Sequence, residues 1–177
     1  MQAFWAKGYE ATSLDDLCHA TGLSRSSLYA TFGDKRALLL RALDRYEELS
    51  AARIAEALSR RLPIREALAA LLSEFIDQIV SGPGRRGCFI GNCAAELARQ
   101  DRDALARVRR SLDRTAKQFR GALADAKARG EVPASLDPEA VAHFLASGIH
   151  GLRLVGKANP DRAVLNDIAR TMMRCLG

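Results

Sequence analysis

The sequence predicts an all-α fold. Apolar residues recur at helical spacing along most of the 177 residues, and no segment alternates apolar and polar residues with the β-branched enrichment typical of strands. Glycine, proline and capping residues divide the apolar stripes into about nine helices. No apolar run approaches the roughly 18 residues that a membrane span needs, so we expect no membrane association.

The start and stop signals give approximate bounds for each helix, in chain order. The nine predicted helices lie at about 2–7, 13–20, 24–31, 34–61, 64–81, 90–98, 103–129, 138–158 and 161–176. We found no internal repeat and no low-complexity tract.

Caps and glycines separate the first three helices. Gly8 ends the first, and Ser13 caps the second with Asp16 three residues later, as in a capping box. Gly22 supplies the left-handed conformation of a tight interhelical turn, and Ser24 caps the third helix. These signals predict two short helices joined by a sharp turn.

The later helices are bounded by similar signals. Asp34 caps a long fourth helix that ends before Pro63, and the Gly-Pro loop at 81–84 closes the fifth. Gly130 ends the long seventh helix, and Pro138 stands in the first turn of the eighth. A second proline-containing turn leads into the ninth.

The segment 13–32 meets the requirements of a helix-turn-helix, whose second helix enters the DNA major groove. Five apolar residues can bury the inner faces of its two helices: Leu14, Leu17, Leu23, Leu28 and Phe32. The outward residues are then Arg25, Ser26, Ser27 and Tyr29. Arg25 can donate two parallel hydrogen bonds to guanine, a contact worth about 1–3 kcal/mol of discrimination, while serines allow close approach.

Phosphate contacts favour hydroxyls, lysines and free N–H groups at helix starts. Five residues around the helix-turn-helix fit that role: Thr12, Ser13, Tyr29, Thr31 and Lys35. Taken singly, Ser13 is explained as a cap and Tyr29 as an ordinary surface aromatic. Their joint spacing favours a DNA-binding surface.

The same segment resembles the N-terminal domain of the tetracycline-repressor (TetR) family. The matching runs are Gly8-Tyr9-Glu10-Ala11-Thr12-Ser13-Leu14, Thr21-Gly22-Leu23-Ser24-Arg25-Ser26-Ser27-Leu28-Tyr29-Ala30-Thr31-Phe32-Gly33-Asp34-Lys35 and Leu38-Leu39. The resemblance implies a repressor that binds a pseudo-palindromic double-stranded DNA operator as a homodimer and is released by a small-molecule inducer. It implies a DNA-binding domain at 1–46 and a ligand-sensing and dimerisation domain at 47–177. Base contacts fall to Arg25, Ser26 and Ser27, and phosphate contacts to Thr12, Tyr29, Thr31 and Lys35.

The eighth helix carries more apolar surface than one core needs. Its wide apolar arc comprises Val141, Phe144, Leu145, Gly148, Ile149, Leu152 and Val155. In the resembled family the last two helices of each subunit form an intermolecular four-helix bundle, which implies dimerisation through them. The alternative is that both helices only close a monomer core.

A Gly-Cys-aliphatic stretch at 86–93 resembles a TetR subgroup with members that respond to electrophiles or oxidants through cysteine. Cys88 follows two arginines and stands near a helix start, and both features favour the reactive thiolate. Packing is the competing explanation for Cys88 and the favoured one for the other cysteines. A more general inducer pocket is predicted from helical phase, lined by Phe75, Ile79, Phe89, Cys93, Phe119 and His150.

Charge and motifs limit the other function classes. The net charge of +6 is concentrated at 99–130, with ten Lys/Arg against four Asp/Glu, and we interpret that stretch as a solvated helix face. No phosphate loop, zinc-protease motif or Cys-x-x-Cys pair occurs, so we expect no enzyme, cofactor or metal site. The alternatives are an all-helical cysteine-dependent enzyme, with Cys88 or Cys93 beside His143 or His150, and a protein-interaction module that does not bind DNA. The first residues lack signal-peptide features, which predicts a cytoplasmic location.

Overall fold

The structure is a computed structural model that describes residues 1–97 and 99–177. Within those residues it contains no strand and nine α-helices, which confirms the predicted fold class. The helices are α1 Gln2–Lys7, α2 Leu14–Thr21, α3 Arg25–Phe32, α4 Lys35–Ser59, α5 Ile64–Ser81, α6 Phe89–Leu97, α7 Arg102–Ala128, α8 Pro138–Ala158 and α9 Arg162–Met173. Short 3₁₀ turns follow at Pro83–Arg86 and Arg174–Leu176. No helix in the described part is long and apolar enough to cross a membrane.

The described chain forms two compact units. The first comprises Met1–Leu49 and Phe89–Ser111, and the second comprises Ser50–Cys88 and Leu112–Gly177. The long helices α4 and α7 each contribute one part to the first unit and the other part to the second.

The first unit has a small apolar core beneath the helix-turn-helix. Phe4, Leu17, Leu28, Leu39 and Leu43 are all buried there. An aromatic cluster extends this core, because the ring of Tyr46 makes edge contacts with Trp5 at 5.3 Å and with Phe89 at 5.6 Å between centroids. Burial of these side chains holds α1, α4 and α6 together within the unit.

Ion pairs reinforce the first unit where α4 meets the start of α7. Arg107 Nε lies 3.1 Å from Asp44, and Arg110 Nη2 lies 2.9 Å from Glu47. The basic stretch at 99–130 was expected to be a solvated face; Arg110 is exposed, whereas Arg107 is only partly exposed, and both pair with acidic side chains of α4. Acidic side chains on α4, distant in sequence, partly neutralise this end of α7.

The second unit is a larger bundle built around α5. Its core is a continuous apolar cluster contributed by α5, α8, α9 and the unit's parts of α4 and α7. Gly156 allows α5 and α8 to approach closely, because a Cβ there would lie 2.4 Å from Ile79 Cγ2. Asp137 and Asp161 cap α8 and α9 by accepting hydrogen bonds from backbone N–H groups in the first turn of each helix.

Candidate nucleic-acid interface

Helix α3, the second helix of the helix-turn-helix and here called the recognition helix, is formed by strong local signals. Gly22 adopts φ 70° in the left-handed region and ends α2. Ser24 takes an extended conformation, and its hydroxyl accepts a hydrogen bond from Ser27 N at 3.2 Å. Both predicted signals, the turn glycine and the serine cap, are therefore confirmed, and together they fix the direction in which α3 leaves the turn.

Helix α3 turns nearly all of its side chains outward. Leu28 is its one fully buried residue. Arg25, Ser26, Ser27 and Thr31 are exposed, and Tyr29 is 46% exposed. A short polar helix held by one buried leucine presents groups that can donate to base edges and phosphates.

Helix α2 begins with the predicted capping box. The Ser13 hydroxyl accepts from Asp16 N at 3.1 Å, while the Asp16 carboxylate accepts from Ser13 N at 2.9 Å. Lys7 lies 2.6 Å from the same carboxylate, and this contact, with the bonds from Ser13, lowers the pKa of Asp16 to about 2. Ser13 stays exposed at the start of α2, as a phosphate contact requires.

Thr12 differs from the expected phosphate contact. Its side chain is fully buried, and its hydroxyl donates a short hydrogen bond to the carbonyl oxygen of Gly8. The turn between α1 and α2 encloses the side chain, so in this structure the Thr12 hydroxyl closes the turn instead of facing outward.

Lys35, at the start of α4, is half-buried beside that turn. Its Nζ donates to the carbonyl oxygen of Glu10 at 3.3 Å and lies 4.5 Å from the centre of the Tyr9 ring. Asp34 caps α4, as predicted, by accepting from Ala37 N at 2.6 Å. The lysine is therefore ordered at the edge of the helix-turn-helix.

Glu96, on α6, holds the turn between α1 and α2 in place. Its carboxylate accepts from Tyr9 N at 2.9 Å and from Glu10 N at 2.8 Å. Gly8 lies so close that a Cβ there would stand 3.0 Å from Glu96 Oε2. Glu96 was not predicted, because no spacing rule relates residues that are separated by more than 80 positions.

A second link joins the start of α4 to the segment that precedes α7. Arg36 lies 2.6 Å from carboxylate oxygens of both Asp101 and Asp103. The hydrogen bonds from Arg36 lower the pKa of Asp101, and the bonds to both carboxylates raise the pKa of Arg36. This contact, also between distant parts of the sequence, fixes the helix that directly follows α3.

The base-reading candidate Arg25 has a protein partner. Its Nε and Nη2 donate to Asp15 Oδ1 at 3.1 and 2.7 Å. Both side chains are exposed, at 63% and 74%. The hydrogen bond to Asp15 is the main cause of a raised pKa of Arg25. Asp15, which sequence analysis did not single out, therefore belongs to this surface.

In the second unit, a polar cluster surrounds the candidate sensor Cys88. The thiol is buried, and its Sγ lies 3.3 Å from His150 Nδ1. Arg153 is also buried, with Nη1 4.0 Å from Sγ and the guanidinium carbon 4.2 Å from the centre of the Phe75 ring. His150 Nε2 is buried and finds no hydrogen-bond partner in the described part of the chain.

A cation that was not predicted lies beside Cys88. Cys88 directly precedes α6, as predicted, but its neighbours Arg85 and Arg86 are exposed. Arg153, from α8, is a cation that contacts the thiol. Its position three residues after His150, on the same face of α8, is a spacing signal that sequence analysis missed.

The six residues predicted to line one inducer pocket belong to two units. Phe75, Ile79, Phe119 and His150 lie in the second, whereas Phe89 and Cys93 lie in the first. All except His150 are buried. Phe89 contacts Trp5 and Tyr46, so its ring is part of the aromatic core of the first unit.

Comparison with known proteins agrees with this geometry. The family model for bacterial regulatory proteins of the tetR family matches residues 1–42, and the model for the tetracyclin repressor-like C-terminal domain matches residues 65–172. The HTH-type transcriptional repressor ComR of Escherichia coli (strain K12) is 34% identical over 98% of this chain and 83% of its own length.

Solved structures show the same similarity. A TetR transcriptional regulator from Chloroflexus aurantiacus has a TM-score of 0.86 at 25% identity, over 98% of this chain and 87% of its own. A cysteine mutant of the regulator CifR, in complex with a 26-bp double-strand operator DNA, has a TM-score of 0.83 at 28% identity, over 98% of this chain and 91% of its own.

The exposed recognition helix and the all-helical fold define a helix-turn-helix transcriptional regulator. With family models that match both the N-terminal and the C-terminal part, the chain belongs to the TetR family.

Proposed function

We propose that this regulator represses transcription by binding a pseudo-palindromic double-stranded operator as a homodimer, and that a small-molecule or thiol-reactive inducer releases it. The observation that carries the proposal is the outer face of α3, an eight-residue helix whose one fully buried side chain is Leu28. Because chromosomal DNA is its ligand, we propose that it acts in the cytoplasm. In this proposal residues 1–46 bind DNA, and residues 47–177 sense the ligand and form the dimer.

Each DNA-contact residue has a proposed role. Arg25, Ser26 and Ser27, exposed in the first turn of α3, contact base edges. A further set contacts phosphates: Ser13, Tyr29, Thr31 and Lys35. Thr12 supports the turn through its bond to Gly8.

Dimerisation is proposed through α8 and α9. Phe144, Leu154 and Val155 are 46%, 67% and 37% exposed on α8, a large apolar surface for one helix. An open groove of about 490 Å³ is lined by Phe144 and Val155 of α8 and by Ile168 and Met172 of α9, and the same surface of a second copy would cover it. Gly148 already meets Met172 of its own chain, whereas Gly151 is open.

Induction is proposed to act on the Cys88 cluster in the second unit. The Cys88 thiol contacts both an imidazole and a guanidinium, and the thiolate is the form of a cysteine that reacts with electrophiles. Two of the predicted pocket residues belong to this cluster: Phe75, whose ring contacts Arg153, and His150, which contacts Cys88. Ile79 and Phe119, buried in the same unit, stay in the proposal as pocket residues.

DNA binding is tested with duplexes selected from a randomised double-stranded pool, with affinity measured by fluorescence anisotropy at several salt concentrations. Arg25→Ala is expected to weaken binding about 5- to 150-fold, the range of one bidentate base contact. Tyr29→Phe tests a phosphate contact, and Arg61→Ala, an exposed arginine in the second unit, is the charge-matched control. Failure to enrich any duplex, or equal losses in Arg25→Ala and Arg61→Ala, would contradict the proposal.

The induction step is tested with a maleimide on the DNA complex. Modification is expected to lower operator affinity in the wild type and in Cys18→Ser, but not in Cys88→Ser. Cys18 is the necessary control because it lies on α2, inside the helix-turn-helix. Equal loss of affinity in Cys88→Ser and the wild type would remove Cys88 from the mechanism.

One alternative is favoured by a specific contact. The 3.3 Å approach of Cys88 Sγ to His150 Nδ1 is also the geometry of a thiol nucleophile and its base. A cysteine-dependent enzyme would turn over a thioester and lose that activity in Cys88→Ser. A regulator shows operator binding without turnover.

A further inference from the structure

The ion pair between Asp15 and Arg25 places an acidic group on the surface that is proposed to face DNA. Asp15 lies in the first turn of α2 and Arg25 begins α3, so the contact spans the turn of the helix-turn-helix. A carboxylate next to phosphates opposes binding by charge repulsion. The cap of α2 does not depend on it, because Ser13 and Asp16 form the capping box.

The geometry of the pair leaves the reading edge of Arg25 available. A guanidinium has five N–H groups arranged in a planar fork. Asp15 Oδ1 accepts from Nε and from Nη2, which is one side of that fork. The end formed by Nη1 and the second hydrogen of Nη2 still presents two parallel donors, the pattern that matches N7 and O6 of guanine.

We propose that Asp15 is a specificity-determining residue that holds Arg25 in the orientation that reads guanine. This inference rests on the proposed function, in which Arg25 contacts base edges. Asp15 acts as a positioning residue: it restricts the rotation of a long exposed side chain, and its negative charge lowers affinity for DNA of any sequence. The pair therefore lowers affinity for DNA of any sequence and raises discrimination at one base position.

A different role for the pair makes the opposite prediction. If Asp15 only held Arg25 in the free protein and released it on DNA binding, removal of the carboxylate would strengthen binding to every sequence and leave base preference unchanged. Base preference, measured position by position, therefore separates the two roles.

The test is a selection from a randomised double-stranded DNA pool, followed by competition binding with duplexes in which each selected base is replaced in turn. Asp15→Asn is expected to reduce discrimination at the position relaxed by Arg25→Ala by about 3- to 10-fold, part of the range of a full bidentate contact. It is also expected to raise affinity for unrelated duplexes. Asp15→Glu keeps the carboxylate and is expected to retain the preference, and Glu10→Gln is the charge-matched control.

Unfolding in urea checks that Asp15→Asn is folded, since an acidic residue in the first turn also favours the helix. Unchanged discrimination in Asp15→Asn, or relaxation at a position other than the one read by Arg25, would overturn the inference while the proposed function stands. If Arg25→Ala relaxes no position, the base contact of Arg25 in the proposed function is wrong, and the inference fails with it.

Discussion

At the scale of single residues, one carboxylate controls the backbone that leads into the helix-turn-helix. The Glu96 carboxylate accepts hydrogen bonds from two backbone N–H groups in the turn between α1 and α2. Hydrogen bonds to an ionised acceptor are stronger than neutral ones, and a partly buried N–H that loses its acceptor is costly.

We therefore expect Glu96→Gln to lower the free energy of unfolding by about 1 kcal/mol, because the amide offers one acceptor where two are needed. Urea unfolding measures this change. Glu10→Gln alters a nearby exposed carboxylate and is expected to stay within about 0.5 kcal/mol of the wild type. Equal stabilities of the two variants would contradict the role of Glu96.

Asp16 gives the fold a specific acid sensitivity. Its pKa is lowered from 3.8 to about 2 by Lys7 and Ser13. A carboxyl group with a lower pKa in the folded state contributes stability above its unfolded pKa, and that contribution is lost as pH falls through the folded value. Between pH 4 and 2 the unfolding free energy should therefore fall more steeply in the wild type than in Asp16→Asn. Parallel pH profiles would show that the capping box does not titrate in this way.

How far a residue's role could be predicted depends on how far away its partner lies. Ser13, Ser24 and Asp34 were predicted as caps because a cap and its N–H donor are three residues apart. Glu96 was missed because Tyr9 and Glu10, whose backbone N–H groups donate to it, are more than 80 residues away. Such contacts depend on the packing of whole helices.

At the scale of elements, the tight turn between α2 and α3 sets the direction of the recognition helix. Gly22 has φ 70°, and no atom lies within 4 Å of the position that a Cβ would occupy, so any substitution there is strained by the backbone alone. Gly121, on α7, is equally open but lacks the positive φ. The two glycines form a matched pair.

Gly22→Ala is expected to destabilise the protein by about 1–2 kcal/mol, the cost of a left-handed conformation for a residue with a Cβ. Gly121→Ala should instead stabilise it by about 0.5–1 kcal/mol, because alanine favours the helix. Thermal or urea unfolding compares them. A neutral or stabilising Gly22→Ala would mean that the turn does not require this conformation.

Element types were predictable for the same reason that caps were, since apolar periodicity and breakers are local signals. The residues that line a pocket were not predictable, because helical phase shows which face of a helix is buried but not which residues pack against it. Phe89 illustrates this limit: it is buried, yet it contacts Trp5 and Tyr46 in the first unit.

At the scale of the whole molecule, the proposed dimer buries apolar side chains that are exposed in a single chain. Phe144 and Val155 are exposed on α8 and line the open groove that α9 completes. Burial of such a surface against its copy would supply the hydrophobic contribution that a symmetric interface needs.

Val155→Lys is therefore expected to shift the protein from dimer to monomer in sedimentation or light-scattering measurements at micromolar concentration, because a charge would be buried without a partner. Leu112→Lys, which changes a comparably exposed apolar residue on α7, should leave the dimer intact. A monomeric wild type would contradict the proposed dimer. A dimer that tolerates Val155→Lys would place the interface elsewhere.

Methylation interference on a selected duplex tests the central claim most directly, since dimethyl sulfate modifies guanine N7 in the major groove. If two copies of α3 read one operator, interference should occur in two patches, on one face of the duplex, whose centres are about 34–36 Å apart. A single patch, or interference confined to minor-groove positions, would contradict it.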